Sequence, residues 1–316
     1  MSGVGSPAFL PPVDFVRSPE DLQRAWPEDE ARAYTRWLAT NHYENFHVVS
    51  FLLPKRLHQD FYNVYAYCRW SDDLADEIGD TAESLRLLGW WRSELHAMCA
   101  GQAWHPVFVA LRDTVREFSL PLQLFDDLIT AFEQDQTVTR YRSFEELFQY
   151  CRYSANPVGR LVLGLCGYRD AERQALSDAT CTALQLANFW QDVTVDLQKD
   201  RVYLPLDLLA AHGYPLEALF ARQFDQRFRA AMQEAVNVTR ELFLRGLPLA
   251  DTVDRRLAID LDLFSRGGLR VLEKIEDQNY DVLRSRPAIS KVERVGLLLS
   301  ALTRRTFSRA AGSRAA

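Results

Sequence analysis

The chain lacks most of the signals that mark the commoner functional classes. Its five cysteines (Cys68, Cys99, Cys151, Cys166 and Cys181) are odd in number and never fall in CxxC spacing. With no secretory signal at the start, they are expected to be buried thiols in a reducing compartment rather than a disulfide frame. His42, His47, His58, His96, His105 and His212 show neither HxxxH nor HExxH spacing, so zinc chemistry is not expected. There is no GxSxG elbow and no GxGxxG after a strand, which removes the signals for a nucleophile elbow and for a Rossmann nicotinamide site. No apolar run approaches the ~18 residues that span a bilayer. The net charge of −6, without a basic run, argues against nucleic acid as a partner. Alternating runs of the strand period are nearly absent.

What remains is helical. Hydrophobic residues make up 47% of the chain, enough for a substantial core. Gly and Pro fall mostly between periodic segments, as at Pro54, Pro121, Gly213-Tyr214-Pro215 and Arg286-Pro287. The expectation is an all-α, single-domain helical bundle around a central cavity. It comprises an irregular arm at 1–27, a helical domain at 28–305 and a flexible tail at 306–316. Helices are expected from Glu28, over Leu57–Ile78, and from an N-cap at Thr81 to about Ala100. Others are expected at 105–118, 121–135, 143–152, 157–167, 170–196, 216–245, 251–283 and 288–304.

Two of these helices carry acid clusters. The first reads Tyr67-Cys68-Arg69-Trp70-Ser71-Asp72-Asp73-Leu74-Ala75-Asp76-Glu77, the second Gln185-Leu186-Ala187-Asn188-Phe189-Trp190-Gln191-Asp192-Val193-Thr194-Val195-Asp196. In each, aspartates recur at i and i+4, on one helix face and about 6 Å apart along the axis. A solvated face is the usual meaning of such a pattern. Here the acids are embedded in aromatic and apolar sequence, where a carboxylate is costly unless paired or metal-bound. Four carboxylates on two facing helices would repel one another unless hard cations intervened. Oxygen ligands of this type suit Mg²⁺, which keeps waters and bridges to substrate phosphates. Asp72, Asp76, Asn188, Asp192 and Asp196 are the expected metal ligands. Asp73 points about 100° from Asp72 and is a weaker candidate, as is Glu77.

With these residues in view, the chain resembles the squalene/phytoene synthase family. The resemblance runs from about Asn45 to Pro287. It rests on Tyr65-Ala66-Tyr67-Cys68-Arg69 leading into the first cluster, on Asn188, Asp192 and Asp196, and on the exit Lys199-Asp200-Arg201-Val202-Tyr203-Leu204-Pro205. Three features are similar to the family's hydroxysqualene-forming branch in bacterial hopanoid biosynthesis. They are Glu44-Asn45-Phe46 ahead of Leu52-Leu53-Pro54, the stretch from Tyr150 to Gly159, and Gln191 before Asp192. That resemblance implies a Mg²⁺-dependent reaction, with two or three ions and diphosphate, on presqualene diphosphate and without a nicotinamide cofactor. Water captures the rearranged C₃₀ cation to give hydroxysqualene.

The resemblance also implies roles. Asn45, Phe46, Gln185, Lys199, Arg201, Tyr203 and Tyr280 are expected to bind substrate. Arg69 either grips the diphosphate or pairs with an acid of its own helix. Tyr150 is expected to face the reacting cation or to pack. Ser154, Asn156 and Gln191 are candidates for positioning the attacking water, one or more of them doing so. For Asn156 the alternative is a helix start, with Asn156 as N-cap and Pro157 at the first position. The expected partners are presqualene diphosphate or a related prenyl diphosphate, a peripheral membrane surface, and the enzymes that make presqualene diphosphate and reduce hydroxysqualene. The expected location is cytoplasmic or at the inner membrane surface. Two rivals stand beside this reading. One is a presqualene diphosphate or squalene/dehydrosqualene synthase acting on farnesyl diphosphate; the other is a non-catalytic relative.

Overall fold

The computed structural model describes residues 9–41, 54–290 and 293. Among them every regular element is helical, with one isolated bridge between Arg140 and Val202, so the all-α expectation holds. The chain divides into two compact units, residues 1–137 and 138–316.

The first unit contains α1 (Pro12–Phe15), α2 (Pro19–Gln23), α3 (Glu28–Asn41), α4 (His58–Asp76), α5 (Thr81–Cys99), α6 (Pro106–Glu117) and α7 (Leu122–Asp135). The arm expected to be irregular thus holds two single turns. Each starts with a proline at its first position, and Phe15 buries its ring against Tyr34 and Trp70. Such apolar anchors order a short segment that has no amphipathic period of its own. The cap of α5 is Asp80 rather than Thr81: its carboxylate accepts the Glu83 N–H at 2.8 Å. Both residue types cap well, so one position of error is within what propensity allows.

The core of this unit is aromatic. Trp70 and Trp91 stack at 4.9 Å, and the His105 ring stands edge-on to Trp70 at 4.3 Å. A buried polar network crosses the helices as well. Thr35 donates to Asn63 (2.7 Å), Asn63 donates to the Ala110 carbonyl and to Thr114 (both 3.0 Å), and Thr114 donates to Asp60 (2.8 Å). Satisfied networks of this kind fix the register of α3, α4 and α6.

The second unit contains α8 (Phe144–Ser154), α9 (Asn156–Leu165), α10 (Ala171–Asp196), α11 (Leu206–Ala211), α12 (Leu216–Phe220), α13 (Gln226–Gly246) and α14 (Arg255–Asp277). The long helix expected at 216–245 is two helices. Arg222 adopts φ +52°, and Asp225 caps α13 by accepting the N–H groups of Arg227 and Phe228 at 2.9 and 3.0 Å. Asn156 does not cap α9; Ala155 precedes the helix and no side chain caps it. The helix expected at 288–304 falls largely outside the described residues. Cys99 is exposed, against the expectation of buried thiols, while burial pushes Cys68 and Cys151 up to about 12 and keeps them protonated. Among the described residues, no helix is long and apolar enough to cross a membrane.

α10 is the axis of this unit and packs against α9, α13 and α14. It meets α13 tightly at Gly246, where an added Cβ would lie 2.1 Å from Thr180 Oγ1 and 2.9 Å from the Thr180 backbone nitrogen. Backbone cannot step aside as a side chain can. Gly246→Ala is therefore expected to destabilise by about 1–3 kcal/mol despite alanine's better helix propensity. Urea unfolding should show a lower midpoint with unchanged slope; an unchanged or higher midpoint would refute the steric account.

α14 carries a second unusual feature. Asp260 is 1% exposed, and neither carboxylate oxygen has a hydrogen-bond partner among the described residues. Desolvation, with a smaller contribution from Asp254, pushes its carboxyl up to about 8. The folded state then holds a proton that the unfolded chain releases near pH 4. Its stability contribution is full below that value and is lost as pH rises toward about 8. Asp260→Asn mimics the protonated acid, so its melting temperature should fall less than the wild type's between pH 5 and pH 8. Parallel pH profiles would show that Asp260 is not protonated in the fold.

Candidate functional site

The first acid cluster sits at the end of α4, whose opposite face is tied into the aromatic core. The Tyr67 hydroxyl donates to the Phe125 carbonyl at 2.8 Å, Trp70 Nε1 to the Tyr34 hydroxyl at 3.0 Å, and Trp91 Nε1 to Ser71 Oγ at 3.0 Å. These bonds fix the rotation of α4. At about 100° per residue, Asp72 and Asp76 are then presented on the side away from Tyr67 and Trp70. Asp72 is half-buried and Asp76 exposed. Asp73 turns inward, with its side chain 4% exposed.

Arg69 serves both inner acids. Its guanidinium lies 3.2 Å from Asp72 Oδ2 and pairs closely with Asp73 Oδ1. Desolvation pushes Asp72 and Asp73 each up to about 6, against the pull of Arg69. The neighbouring acids Asp76 and Glu77 raise both further. One guanidinium therefore leaves the cluster short of positive charge. A hard cation is one species that would relieve such a deficit.

The second cluster lies along α10. Gln185, Asp192 and Asp196 fall within about 40° on the helix, with Asn188 about 60° from Gln185. The opposite face is anchored by Trp190, whose indole N–H donates to Thr239 Oγ1 at 2.7 Å, which in turn donates to the Ala235 carbonyl. Asn188 is exposed, and Gln185, Asp192 and Asp196 are half-buried. Asp192 is held by Arg286 through both carboxylate oxygens, Nη2 to Oδ2 at 3.2 Å and Nε to Oδ1 more closely.

After Asp196 the chain makes one 3₁₀ turn and reverses at Asp200, φ +54°. The Arg201 N–H returns to the Asp196 carbonyl at 2.9 Å, and Arg140 pairs with the Asp200 carboxylate at 2.5 Å. Lys199 is exposed at this exit. Arg201 and Asp196 line a cavity of about 10 Å³ with Phe189 and Tyr203, room for about one water.

Beside the second cluster stands an aromatic wall. Phe189 and Tyr203 stack at 3.6 Å, and Tyr150 lies 6.2 Å from each. Tyr141 completes the group at 5.4 Å from Tyr150. Tyr150 and Ser154 are one turn apart on α8. The three polar candidates are not equivalent. The Asn156 side chain accepts the Thr182 hydroxyl at 2.9 Å, and Gln191 donates to the Pro287 carbonyl at 2.5 Å. Thr182 and Gln191 are nine residues apart on α10, about 14 Å along its axis, so Asn156 and Gln191 do not hold one common water. Ser154 Oγ is buried and has no partner among the described residues.

Tyr280 is 9% exposed, and burial and Glu276 push its hydroxyl up. Glu276 is itself paired two-handed with Arg240 at 2.7 and 2.9 Å. Asn45 and Phe46 lie outside the described residues. Arg140 and Arg286 were not among the expected site residues. In the sequence Arg286 is marked only by Pro287 after it, between helical segments, and no local pattern ties it to Asp192.

Among the described residues, no three His, Cys, Asp or Glu side chains converge as a metal cage. The donor set nonetheless fits Mg²⁺. Each helix offers carboxylate or amide oxygens at one-turn spacing, and this ion is usually held by one or two carboxylates with water and phosphate completing its shell.

The squalene/phytoene synthase family model matches residues 39–293. The hydroxysqualene synthase of Rhodopseudomonas palustris is 34% identical over 277 residues, 85% of this chain and 93% of that relative. The phytoene synthase of Thermus thermophilus is 32% identical over 294 residues, 92% of this chain and 97% of that relative. Among solved structures, squalene synthase HpnC from Alicyclobacillus acidocaldarius aligns with a TM-score of 0.76 at 43% identity, covering 79% of this chain and 94% of that one.

Proposed function

The chain belongs to the squalene/phytoene synthase family, and from that premise we propose that it is a hydroxysqualene synthase, converting presqualene diphosphate and water to hydroxysqualene and diphosphate. The observation that carries the reading is the polar–aromatic arrangement at the second cluster. A carboxylate row on α10 lies beside the wall of Tyr150, Phe189 and Tyr203, with the unpartnered Ser154 hydroxyl one turn from Tyr150. The 43% identity to a squalene synthase and the 34% identity to a hydroxysqualene synthase support it.

Mg²⁺, when bound, neutralises the charge that builds on the leaving diphosphate. Asp72 and Asp76 on α4, and Asn188, Asp192 and Asp196 on α10, are the residues of each row that would offer it oxygen ligands. Arg69 beside the first row, and Lys199 and Arg201 beside the second, are the cations that would meet diphosphate oxygens. The carbon–oxygen bond breaks with its electron pair leaving on diphosphate, and the cyclopropylcarbinyl cation rearranges. Tyr150, Phe189 and Tyr203 offer π faces that stabilise a cation without attacking it. Water then forms the new carbon–oxygen bond and loses a proton. Ser154 is a polar group with hydrogen-bonding capacity left to orient that water.

The competing reading is condensation of farnesyl diphosphate or a longer homologue, favoured by the 32% identity to a phytoene synthase. Product analysis by mass spectrometry separates the two. Turnover of presqualene diphosphate without reduced nicotinamide, together with inertness toward farnesyl diphosphate alone, is the expected result. The reverse pattern would establish the rival.

Asp72→Asn or Asp192→Asn keeps the shape and removes a charge, and should lower turnover at least ~100-fold with the fold retained by circular dichroism. Near-normal rates in both variants at saturating Mg²⁺ would sink the cation-site assignment. In ¹⁸O-water the alcohol product should carry the label. Ser154→Ala should shift product toward proton-loss polyenes or early-quenched alcohols while diphosphate release continues. An unlabelled alcohol would overturn water capture, and an unchanged product profile would remove Ser154 from it.

A further inference from the structure

Beyond α14 the chain reverses through two consecutive left-handed residues, Asn279 at φ +57° and Tyr280 at φ +64°. Side chains with a Cβ rarely adopt this conformation, and surrounding bonds must hold it. The Asn279 N–H donates to the Glu276 carbonyl and the Tyr280 N–H to the Ile275 carbonyl, both at 2.8 Å. The Gln278 amide then stitches the loop, donating to the carbonyls of Asp281 (3.0 Å) and Ser285 (3.2 Å). The Arg284 N–H closes on Asp281 Oδ1 at 3.1 Å.

This loop delivers two adjacent residues onto two adjacent residues of α10. Arg286 takes both oxygens of Asp192, and Pro287 accepts from Gln191. The guanidinium fork occupies the same carboxylate oxygens that a divalent cation would use. Arg286 is 50% exposed and Asp192 29% exposed. An ion pair this open to water is held weakly enough to exchange partners.

We propose that Arg286 is the resident counter-ion of Asp192 and transfers from that carboxylate to the diphosphate as cation and substrate bind, so that divalent metal and diphosphate bind as one coupled event. The proposal rests on the reading of Asp192 as a cation ligand. A cation arriving alone has to displace the guanidinium and leaves two positive groups beside one carboxylate. Diphosphate arriving with it gives Arg286 a new anionic partner that its fork matches. Each ligand then raises the affinity of the other by the same factor.

Mn²⁺ binding to the full chain, followed by the electron paramagnetic resonance of the free ion, tests this. Titrations are run with and without inorganic diphosphate, and the Mn²⁺–diphosphate complex formed in buffer is subtracted. In the wild type, diphosphate should tighten Mn²⁺ binding by about 10-fold. Arg286→Gln should bind Mn²⁺ alone about 3-fold or more tighter than wild type and lose most of the diphosphate enhancement. Arg286→Lys, which keeps the charge without the fork, should fall between. Gln278→Ala loosens the loop while keeping the guanidinium, and should bind Mn²⁺ alone as the wild type does. If Gln278→Ala tightens Mn²⁺ binding as much as Arg286→Gln, loop mobility and not charge exchange is responsible, and the proposal is overturned. If Arg286→Gln matches the wild type in both titrations while Asp192→Asn loses Mn²⁺, the exchange fails and the cation site stands. If Asp192→Asn binds Mn²⁺ unchanged, the reading of Asp192 fails first and the exchange with it.

Discussion

A carboxylate row on a helix that cannot rotate is the constraint on which the proposed chemistry depends. On α4, Tyr67, Trp70 and Ser71 all make hydrogen bonds in the aromatic core. Turning Asp72 further into water would break them and expose two large rings. The acid stays at the boundary, where desolvation raises it to about 6. Carboxylates about 6 Å apart repel by about 3 kcal/mol at an effective dielectric of ~20, and by less where one is exposed as Asp76 is. Packing fixes the geometry and leaves the electrostatics unresolved. That imbalance makes further positive charge beside the cluster electrostatically favourable.

The two rows solve this differently. Arg69 lies three and four residues before its acids on the same helix, so its guanidinium cannot move far from them. Its pair with the buried Asp73 is a structural commitment, which leaves the remaining fork for Asp72 or an incoming anion. Asp192 instead pairs with Arg286, carried by the loop that follows α14. A guanidinium on a loop can leave by a change of side-chain rotamer, without disturbing the helix that carries the acid. The first unit therefore holds a permanent countercharge, and the second a replaceable one.

The helices themselves were legible because their apolar period is long. α4 and α10 were read within a residue or two, and so were α6 to α9. The misses have separate physical causes. α13 was merged with α12 because apolar spacing continues across the break, while the signal for the break is the cap at Asp225 and the left-handed Arg222. α11 has six residues, too few for a period to register. The turns at Pro12 and Pro19 are ordered by Phe15 and Trp26 against distant rings, which no local pattern records. At the site, the acids and their i, i+4 spacing could be read directly, because both members of each pair sit on one helix. The Arg286–Asp192 pair joins residues remote in sequence, and the satisfaction of Asn156 by Thr182 is equally non-local.

Hydrogen-bond satisfaction then sorts polar residues that sequence alone left equal. Asn156 and Gln191 each spend a side-chain group on a defined partner, and moving either would leave Thr182 Oγ1 or the Pro287 carbonyl to find another. Such groups hold the architecture beside the aromatic wall. Ser154 presents a buried hydroxyl that makes no such bond among the described residues. An unmet hydroxyl in a dry setting costs about 1–3 kcal/mol, a cost that a bound water removes. That hydroxyl stands one turn from Tyr150 on the same face of α8, and in the proposed reaction it would hold a water near the aromatic wall. A cavity that must deliver one water and refuse the rest needs one unmet polar group among satisfied ones. The Ser154 hydroxyl, two residues before the satisfied Asn156, supplies such a group.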